Sequence, residues 1–161
     1  MSRAFVKEDD GSRPEVLPEI PVSSAPNLVT SRGLREISAR IAEIEAALDA
    51  GPDPEHVARL KRDLRYWSLR HATARPTAPD PENPAVQFGS RVTYRNEEGS
   101  VRTVVLTGED EADPAAGRLA WTAPVARALT GAEAGGSVTV QIRGEPVELE
   151  VVSVEVPGDD G

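Results

Sequence analysis

The chain has 161 residues and no cysteine, which excludes a disulfide framework and thiolate metal sites. Its formal net charge of −9 argues against a protein that wraps duplex nucleic acid, because phosphate contacts require a basic surface. Apolar runs are only a few residues long, so the sequence predicts no transmembrane helix and no signal peptide, and we expect a cytoplasmic protein.

Residues 1–27 contain four prolines and no apolar period, so they predict a flexible N-terminal tail. An alternative keeps Phe5 and Val6 as a short docking element within this tail.

Two matched apolar ladders within residues 28–75 predict an antiparallel coiled-coil hairpin. We expect one helix to begin at Thr30 or Ser31 and end near Ala50, and a second to span residues 54–74. Between them, Gly51 suits a left-handed residue after a helix, and Asp53 suits an N-cap. The ladders are Leu34, Ile37, Ile41, Ile44 and Leu48, then Val57, Leu60, Leu64, Trp67 and His71.

Residues 43–55 carry five acids and no Lys or Arg, and the turn within them, residues 49–55 and here called the tip, carries three of the five. Capping accounts for Asp53, and the N-terminal helix dipole accounts for Glu55. Asp49 sits where a negative charge is disfavoured by roughly 0.3–1 kcal/mol, so stability does not explain it. Two interpretations stay open: the tip delivers oxygen ligands to a hard cation held elsewhere, or it is a solvated acidic turn.

After a proline-rich linker at residues 76–85, the period changes to two and predicts a small α+β domain over residues 86–156. Thr122 is expected to cap a short helix that has Pro124 in its first turn and that Gly131 ends. The predicted antiparallel strands are 91–95, 100–107, 118–121, 137–143 and 146–156, the last two joined through Gly144 and Glu145, with a tail at 157–161.

Charge divides the chain in two. Residues 30–75 hold seven acids and nine bases, a net of +2, whereas residues 86–161 hold thirteen acids and six bases, a net of −7. Residues 108–113, here called the acidic loop, do not match the calcium-loop spacing and predict a docking surface for a basic partner. No hydrolase motif, P-loop or dinucleotide fingerprint is present, so we do not expect an enzyme.

Several segments resemble the GreA/GreB transcript-cleavage factor family of bacterial transcription, which includes the shorter relative Rnk. The resemblance is strongest at residues 86–90, 107–113 and 122–131, and residues 27–34 look like the family's opening of its first helix. Residues 2–9 look like tailed GreB-type members.

The resemblance implies an FKBP-like C-terminal domain that docks a monomeric factor on bacterial RNA polymerase, and a coiled coil that enters the secondary channel. Contact with RNA or DNA would be indirect, through the elongation complex. No cofactor and no stable metal of its own are implied, because the tip would complete the coordination of a polymerase-held Mg²⁺ and stimulate the polymerase's own RNA cleavage. The implied tip acids are Asp49, Asp53 and Glu55, and the implied docking residues are Asp110, Glu111, Pro124 and Arg127.

Two departures from the family pattern leave an alternative open. The tip lacks the family's clustered acidic run, and the helices look shorter than those of full-length factors. A short arm favours a non-catalytic occupant of the channel that competes with other factors or inhibits transcription by blocking nucleotide entry. A prolyl isomerase, suggested only by the fold analogy, is set aside because fold does not imply function.

Overall fold

The computed structural model describes residues 17–158 as an α+β protein, so the predicted fold class is confirmed. Helices precede a five-stranded sheet, and a separate two-stranded sheet joins the ends of the helical pair. The elements are β1 Leu28–Val29, α1 Ser31–Asp49, α2 Pro54–Thr73, β2 Arg75–Pro76, β3 Arg91–Asn96, β4 Val101–Thr107, β5 Arg118–Ala120, α3 Pro124–Leu129, β6 Ser137–Ile142 and β7 Glu145–Glu155.

The helical pair α1 and α2 follows the predicted boundaries closely. Thr30 caps α1 by accepting a hydrogen bond from the Gly33 amide at 2.9 Å. Gly51 takes a left-handed φ of 68°, which glycine adopts without steric cost. Ile37 and Ile44 of the first ladder are buried, so the apolar stripe of α1 is covered where α2 packs against it.

The second ladder ends differently from the prediction. His71 is exposed, and the buried residue at this level is Arg70, only 3% exposed. From Trp67 a step of three residues leads to Arg70 and a step of four leads to His71. The acidic loop packs against the face of α2 that carries Arg70, and His71 lies outside this face. The assignment of His71 to the apolar stripe was therefore wrong.

The large sheet has the strand order β5-β4-β3-β7-β6. All its neighbours are antiparallel except β4 and β5, which run parallel with Val105 opposite Arg118. The prediction of a wholly antiparallel sheet was therefore wrong. The chain reaches β5 through the acidic loop and a 3₁₀ turn at Pro114–Ala116, and this crossover returns it in the direction of β4.

The structure places two local features one residue away from their predicted positions. The β6–β7 turn uses Arg143 and Gly144 rather than Gly144 and Glu145, since φ is positive at both, as a two-residue hairpin of this type requires. Ala123, not Thr122, is the N-cap of α3, and it makes no side-chain capping bond. Pro124 begins α3 as expected.

The core is aliphatic and lies between the inner sheet face and α3. Val92, Val104, Leu106, Leu129 and Val151 are wholly buried there. Phe5 and Val6 lie outside the described residues, as does most of the predicted C-terminal tail. Neither α1 nor α2, nor any other helix within residues 17–158, combines the length and apolarity needed to cross a membrane.

The segments flanking the helical pair are joined by a short parallel ladder. β1 pairs with β2, with the Arg75 amide donating to the Asn27 carbonyl at 2.8 Å and the Thr77 amide to the Val29 carbonyl at 2.9 Å. The predicted linker at residues 76–85 thus begins inside β2, at Pro76, and a proline is tolerated in such a short edge strand.

Candidate functional site

The tip acid Asp53 is fully engaged at the start of α2. Its Oδ1 accepts the His56 amide at 3.0 Å, and its Oδ2 lies 2.9 Å from His56 Nδ1. The His56 backbone N–H, followed by the His56 side chain, holds the pKa of the Asp53 carboxyl below its usual value. The predicted capping role is therefore observed.

The other two tip acids differ from each other. Glu55 Oε1 accepts a hydrogen bond from Arg59 Nη2 at 2.6 Å, one turn along α2. Asp49 is exposed at the end of α1, and within residues 17–158 its carboxylate makes no hydrogen bond or ion pair. One acid of the three is therefore free to meet a ligand without losing a contact.

No group of three or more Asp, Glu or His side chains suited to holding a metal ion occurs in the described part of the chain. The tip acids are thus separate carboxylates rather than a preassembled site. Any cation they contact must receive most of its ligands from elsewhere.

At the other end of the helical pair, two side chains of α2, Tyr66 and Arg70, bind Asp110 of the acidic loop. These bonds, and the bond of Thr30 to Glu111, are called the clasps. The Tyr66 hydroxyl donates to Asp110 Oδ1, and Arg70 Nε donates to Asp110 Oδ2 at 2.5 Å. The Arg70 and Asp110 side chains are 3% and 11% exposed. Burial, followed by the hydrogen bond to Asp110, raises the pKa of Tyr66 to about 12.

Glu111 makes a second clasp, to the start of α1. The Thr30 hydroxyl donates to Glu111 Oε2 at 2.5 Å while accepting from the Gly33 amide, so one hydroxyl serves both cap and clasp. Glu111 is buried, and this burial raises the pKa of its carboxyl. A Cβ at Gly33 would lie 2.7 Å from the same oxygen, so glycine makes room for the carboxylate.

The four predicted docking residues thus divide into two pairs. Asp110 and Glu111 are bound within the chain, where they fix the helical pair to the sheet. Pro124 and Arg127 are exposed on α3. Their contact with a partner stays a prediction.

Sequence reasoning missed Arg70, Tyr66 and Asn27. Asn27 is buried and donates from Nδ2 to the Arg70 carbonyl at 2.7 Å and to Thr73 Oγ1 at 3.2 Å. Arg70 had a weak signal, since an arginine three residues after a ladder position lies near the same face. Asn27 lies in the segment that resembles the family's opening of its first helix, but that resemblance does not identify its partners, which are 43 and 46 residues away.

The segment preceding β1 lies along the helical pair. Arg65 Nη2 donates to Glu19 Oε1 at 2.5 Å, and the Arg65 Nε–H is shared between both Glu19 oxygens at 3.0 and 3.1 Å. Ser23 donates to Glu109 at 3.0 Å. Of the predicted tail, the described residues 17–27 thus contact both α2 and the acidic loop.

Trp67 of the second ladder is half-buried. Its ring lies edge-on to Tyr66, with 5.1 Å between the ring centroids, and 5.9 Å from the Arg40 guanidinium, so it packs within the helical pair.

Residues 81–156 match the family model described as transcription elongation factor, GreA/GreB, C-terminal. Relatives named transcription elongation factor GreA, from Pseudomonas aeruginosa and Cereibacter sphaeroides, are 32% and 36% identical over 128 and 121 residues. These alignments cover 74% and 71% of this chain and 81% and 80% of the relatives. The chain belongs to the GreA/GreB family.

Other matches are shorter or more distant. GreA of Legionella pneumophila (strain Corby) is 40% identical over 88 residues, so the match spans 54% of this chain and 55% of that relative. Gfh1 of Thermus thermophilus, a solved GreA factor homologue, is 14% identical with a TM-score of 0.40. That alignment covers 81% of this chain and 99% of Gfh1, and at these values the likeness carries no functional conclusion.

Proposed function

We propose that this chain is an elongation factor that binds bacterial RNA polymerase and acts through the secondary channel. In this proposal α1 and α2 form a coiled-coil arm, and the sheet domain, FKBP-like in fold, is the anchor. The supporting observation is that the acidic tip lies at the opposite end of α1 from the Glu111 clasp. Nineteen helical residues separate the two by about 28 Å at 1.5 Å per residue.

The clasps at the base of the arm suit this role. Asp110 binds α2 and Glu111 binds the cap of α1, so each helix is tied separately to the same loop. An arm held at two points transmits the orientation of its anchor to its tip. Docking through the exposed α3 residues Pro124 and Arg127 would then aim the tip without a further contact.

The chemistry of the tip supports stimulation of RNA cleavage by the polymerase, with this chain itself not an enzyme. Asp49 offers a carboxylate that has no partner among residues 17–158, and hard cations such as Mg²⁺ are bound through oxygen ligands. A polymerase-held Mg²⁺ would supply charge stabilisation at the phosphate undergoing hydrolysis. Asp49 would contribute an oxygen toward it, with Asp53 and Glu55 adding negative potential nearby.

A second candidate is a non-catalytic occupant of the channel that competes with other factors. It is favoured by the engagement of Asp53 with His56 and of Glu55 with Arg59, so that only Asp49 among the tip acids lacks a partner within the described part of the chain. An occupant needs shape and anchorage but no free carboxylate.

Transcript cleavage in stalled elongation complexes, measured with purified polymerase and wild-type protein, separates the two candidates. If the tip is active, Asp49→Asn lowers cleavage at least about tenfold, equivalent to ~1.4 kcal/mol of barrier, whereas Glu148→Gln on the exposed sheet face leaves it unchanged. An occupant gives no cleavage above polymerase alone but displaces a second channel-binding factor. Failure to bind polymerase at all refutes both.

A further inference from the structure

Strand β6 forms an open edge of the large sheet. Its six residues, Ser137–Ile142, carry no charge and no proline, and three of them are β-branched valine or threonine at consecutive positions. Natural edge strands are usually protected by lysine, proline, a bulge or shortness. The opposite edge, β5, has only three residues. β6 lacks the usual protection.

The register with β7 determines which backbone groups of β6 point outward. Ile142 pairs with Glu145 across the two-residue turn, so residues 138, 140 and 142 direct their amides and carbonyls toward β7. Ser137, Thr139 and Gln141 therefore direct theirs away from the sheet. Among residues 17–158, none of these outward groups has a hydrogen-bond partner, and all three residues are exposed.

We propose that β6 pairs with β6 of a second copy of this chain, antiparallel about a two-fold axis through Thr139. The pairing makes one continuous ten-stranded sheet. Ser137 of one copy lies opposite Gln141 of the other, and Thr139 lies opposite its own equivalent. The three outward residues of each copy supply six main-chain hydrogen bonds between the two strands.

The strand is complementary to itself in this register. Val138 and Val140, which lie opposite each other across the axis, share the inner face of the sheet, and Ser137 and Gln141 share the outer face. An isologous interface requires such matching, because each patch meets a copy of itself. No residue of β6 introduces a like-charge pair.

The acidic character of the chain does not oppose this pairing. The acids that pair with β6 are Glu145, Glu148 and Glu150 of β7, one strand inside the edge. In the dimer the two β7 strands are three strand spacings apart, about 14 Å. That exceeds the Debye length of ~8 Å at physiological ionic strength, and Glu150 is paired with Arg95 at 3.3 Å.

Sedimentation equilibrium over a wide range of protein concentration measures the dimer constant. Thr139→Lys places two lysines opposite each other in the dimer, but in the monomer the lysine faces Glu148 across the strand pair and is accommodated. Ser137→Pro removes an outward donor without adding charge, at a strand start where proline is tolerated. Each variant is expected to raise the dissociation constant by at least ~10-fold. Thr103→Lys, on the same sheet face in a more central strand, is expected to leave it unchanged.

Amide hydrogen exchange at Thr139 gives a second measurement that does not depend on the variants. Protection that grows with protein concentration supports the dimer. Protection that is independent of concentration and lost on deleting residues 1–16 overturns it, because the edge is then covered within one chain. A wild-type protein that stays monomeric throughout, or a dimer that neither edge variant weakens, also overturns it.

Discussion

Arg70 of α2 donates to Asp110 of the acidic loop at 2.5 Å, and both side chains are almost excluded from solvent. Thr30, at the start of α1, makes the corresponding bond to Glu111, the next residue of the same loop. Two consecutive carboxylates thus bind the two helices, one each. These bonds, with that of Tyr66 to Asp110, join the base of the helical pair to the acidic loop.

Replacing Asp110 by alanine leaves the Arg70 guanidinium buried without its counter-charge. Loss of one partner of a buried pair costs about 3–5 kcal/mol, so we expect a corresponding fall in the free energy of unfolding measured with urea. Glu55→Ala is the matched control, because its pair with Arg59 is exposed and worth at most about 1 kcal/mol. Equal losses in the two variants would contradict the assigned role of the clasp.

Tyr66 reports the same clasp through its ionisation. Its pKa of about 12 lies above the ordinary value of 10.0, so the folded protein retains a proton that the unfolded chain loses. The stability contributed by this proton is present below pH 10 and is lost as pH rises toward 12. We expect tyrosinate absorbance to show a late-titrating group that disappears in Tyr66→Phe and titrates earlier in Asp110→Asn. A titration unaltered by Asp110→Asn would exclude the link.

Glu111 gives the clasp a second dependence on pH. Burial raises its pKa above the ordinary 4.5, so the folded state favours the protonated carboxyl. The stability that this protonated carboxyl contributes is present below pH 4.5 and is lost as pH rises through the raised pKa. Glu111→Gln keeps an acceptor for Thr30, so its stability relative to wild type should increase from pH 4 to neutral pH in thermal unfolding. A stability difference between Glu111→Gln and wild type that stays constant with pH would contradict this dependence.

The helical pair could be read from the sequence because its determinants are local. Apolar steps of three and four define the stripe, and Thr30, Gly51 and Asp53 define the ends through bonds within four residues. The site at the base could not be read in this way. Asp110 and Arg70 are 40 residues apart, and no local pattern distinguishes a loop acid that meets a buried arginine from one that meets solvent.

In the sheet, too, the features set by local sequence could be predicted and those set by distant contacts could not. Alternation located β3, β4, β6 and β7, since one face of each strand is buried. The parallel pairing of β5 depends on how the acidic loop crosses over, which alternation does not encode. The turn at Arg143 shifted by one residue because the backbone required positive φ at a residue that does not usually adopt it.

Asp53 combines a cap with a place among the tip acids, and two substitutions separate these roles. Asp53→Ser keeps an acceptor for the His56 amide, whereas Asp53→Ala does not, so only the alanine variant should lower helicity and the melting temperature. Because the pKa of Asp53 is lowered, the cap's contribution should be present above pH 3.8 and be lost as pH falls. If both variants melt alike, the carboxylate is not acting as the cap.

Gly108 tests whether the small parallel sheet supports the clasp. A Cβ at this position would lie 2.5 Å from the Leu28 carbonyl oxygen, a backbone atom of β1 that cannot rotate away. Gly108→Ala must therefore displace β1, which leads directly into Thr30 and its bond to Glu111. We expect the free energy of unfolding in urea to fall by about 1–3 kcal/mol, as at other overpacked sites. We also expect faster hydrogen exchange of the Gly33 amide, which donates to the Thr30 hydroxyl.

Gly158→Ala, where no atom lies within 4 Å, should be nearly neutral. Destabilisation without faster exchange at Gly33 would mean that β1 and the clasp are independent, since a displaced β1 cannot leave the Thr30 hydroxyl in place.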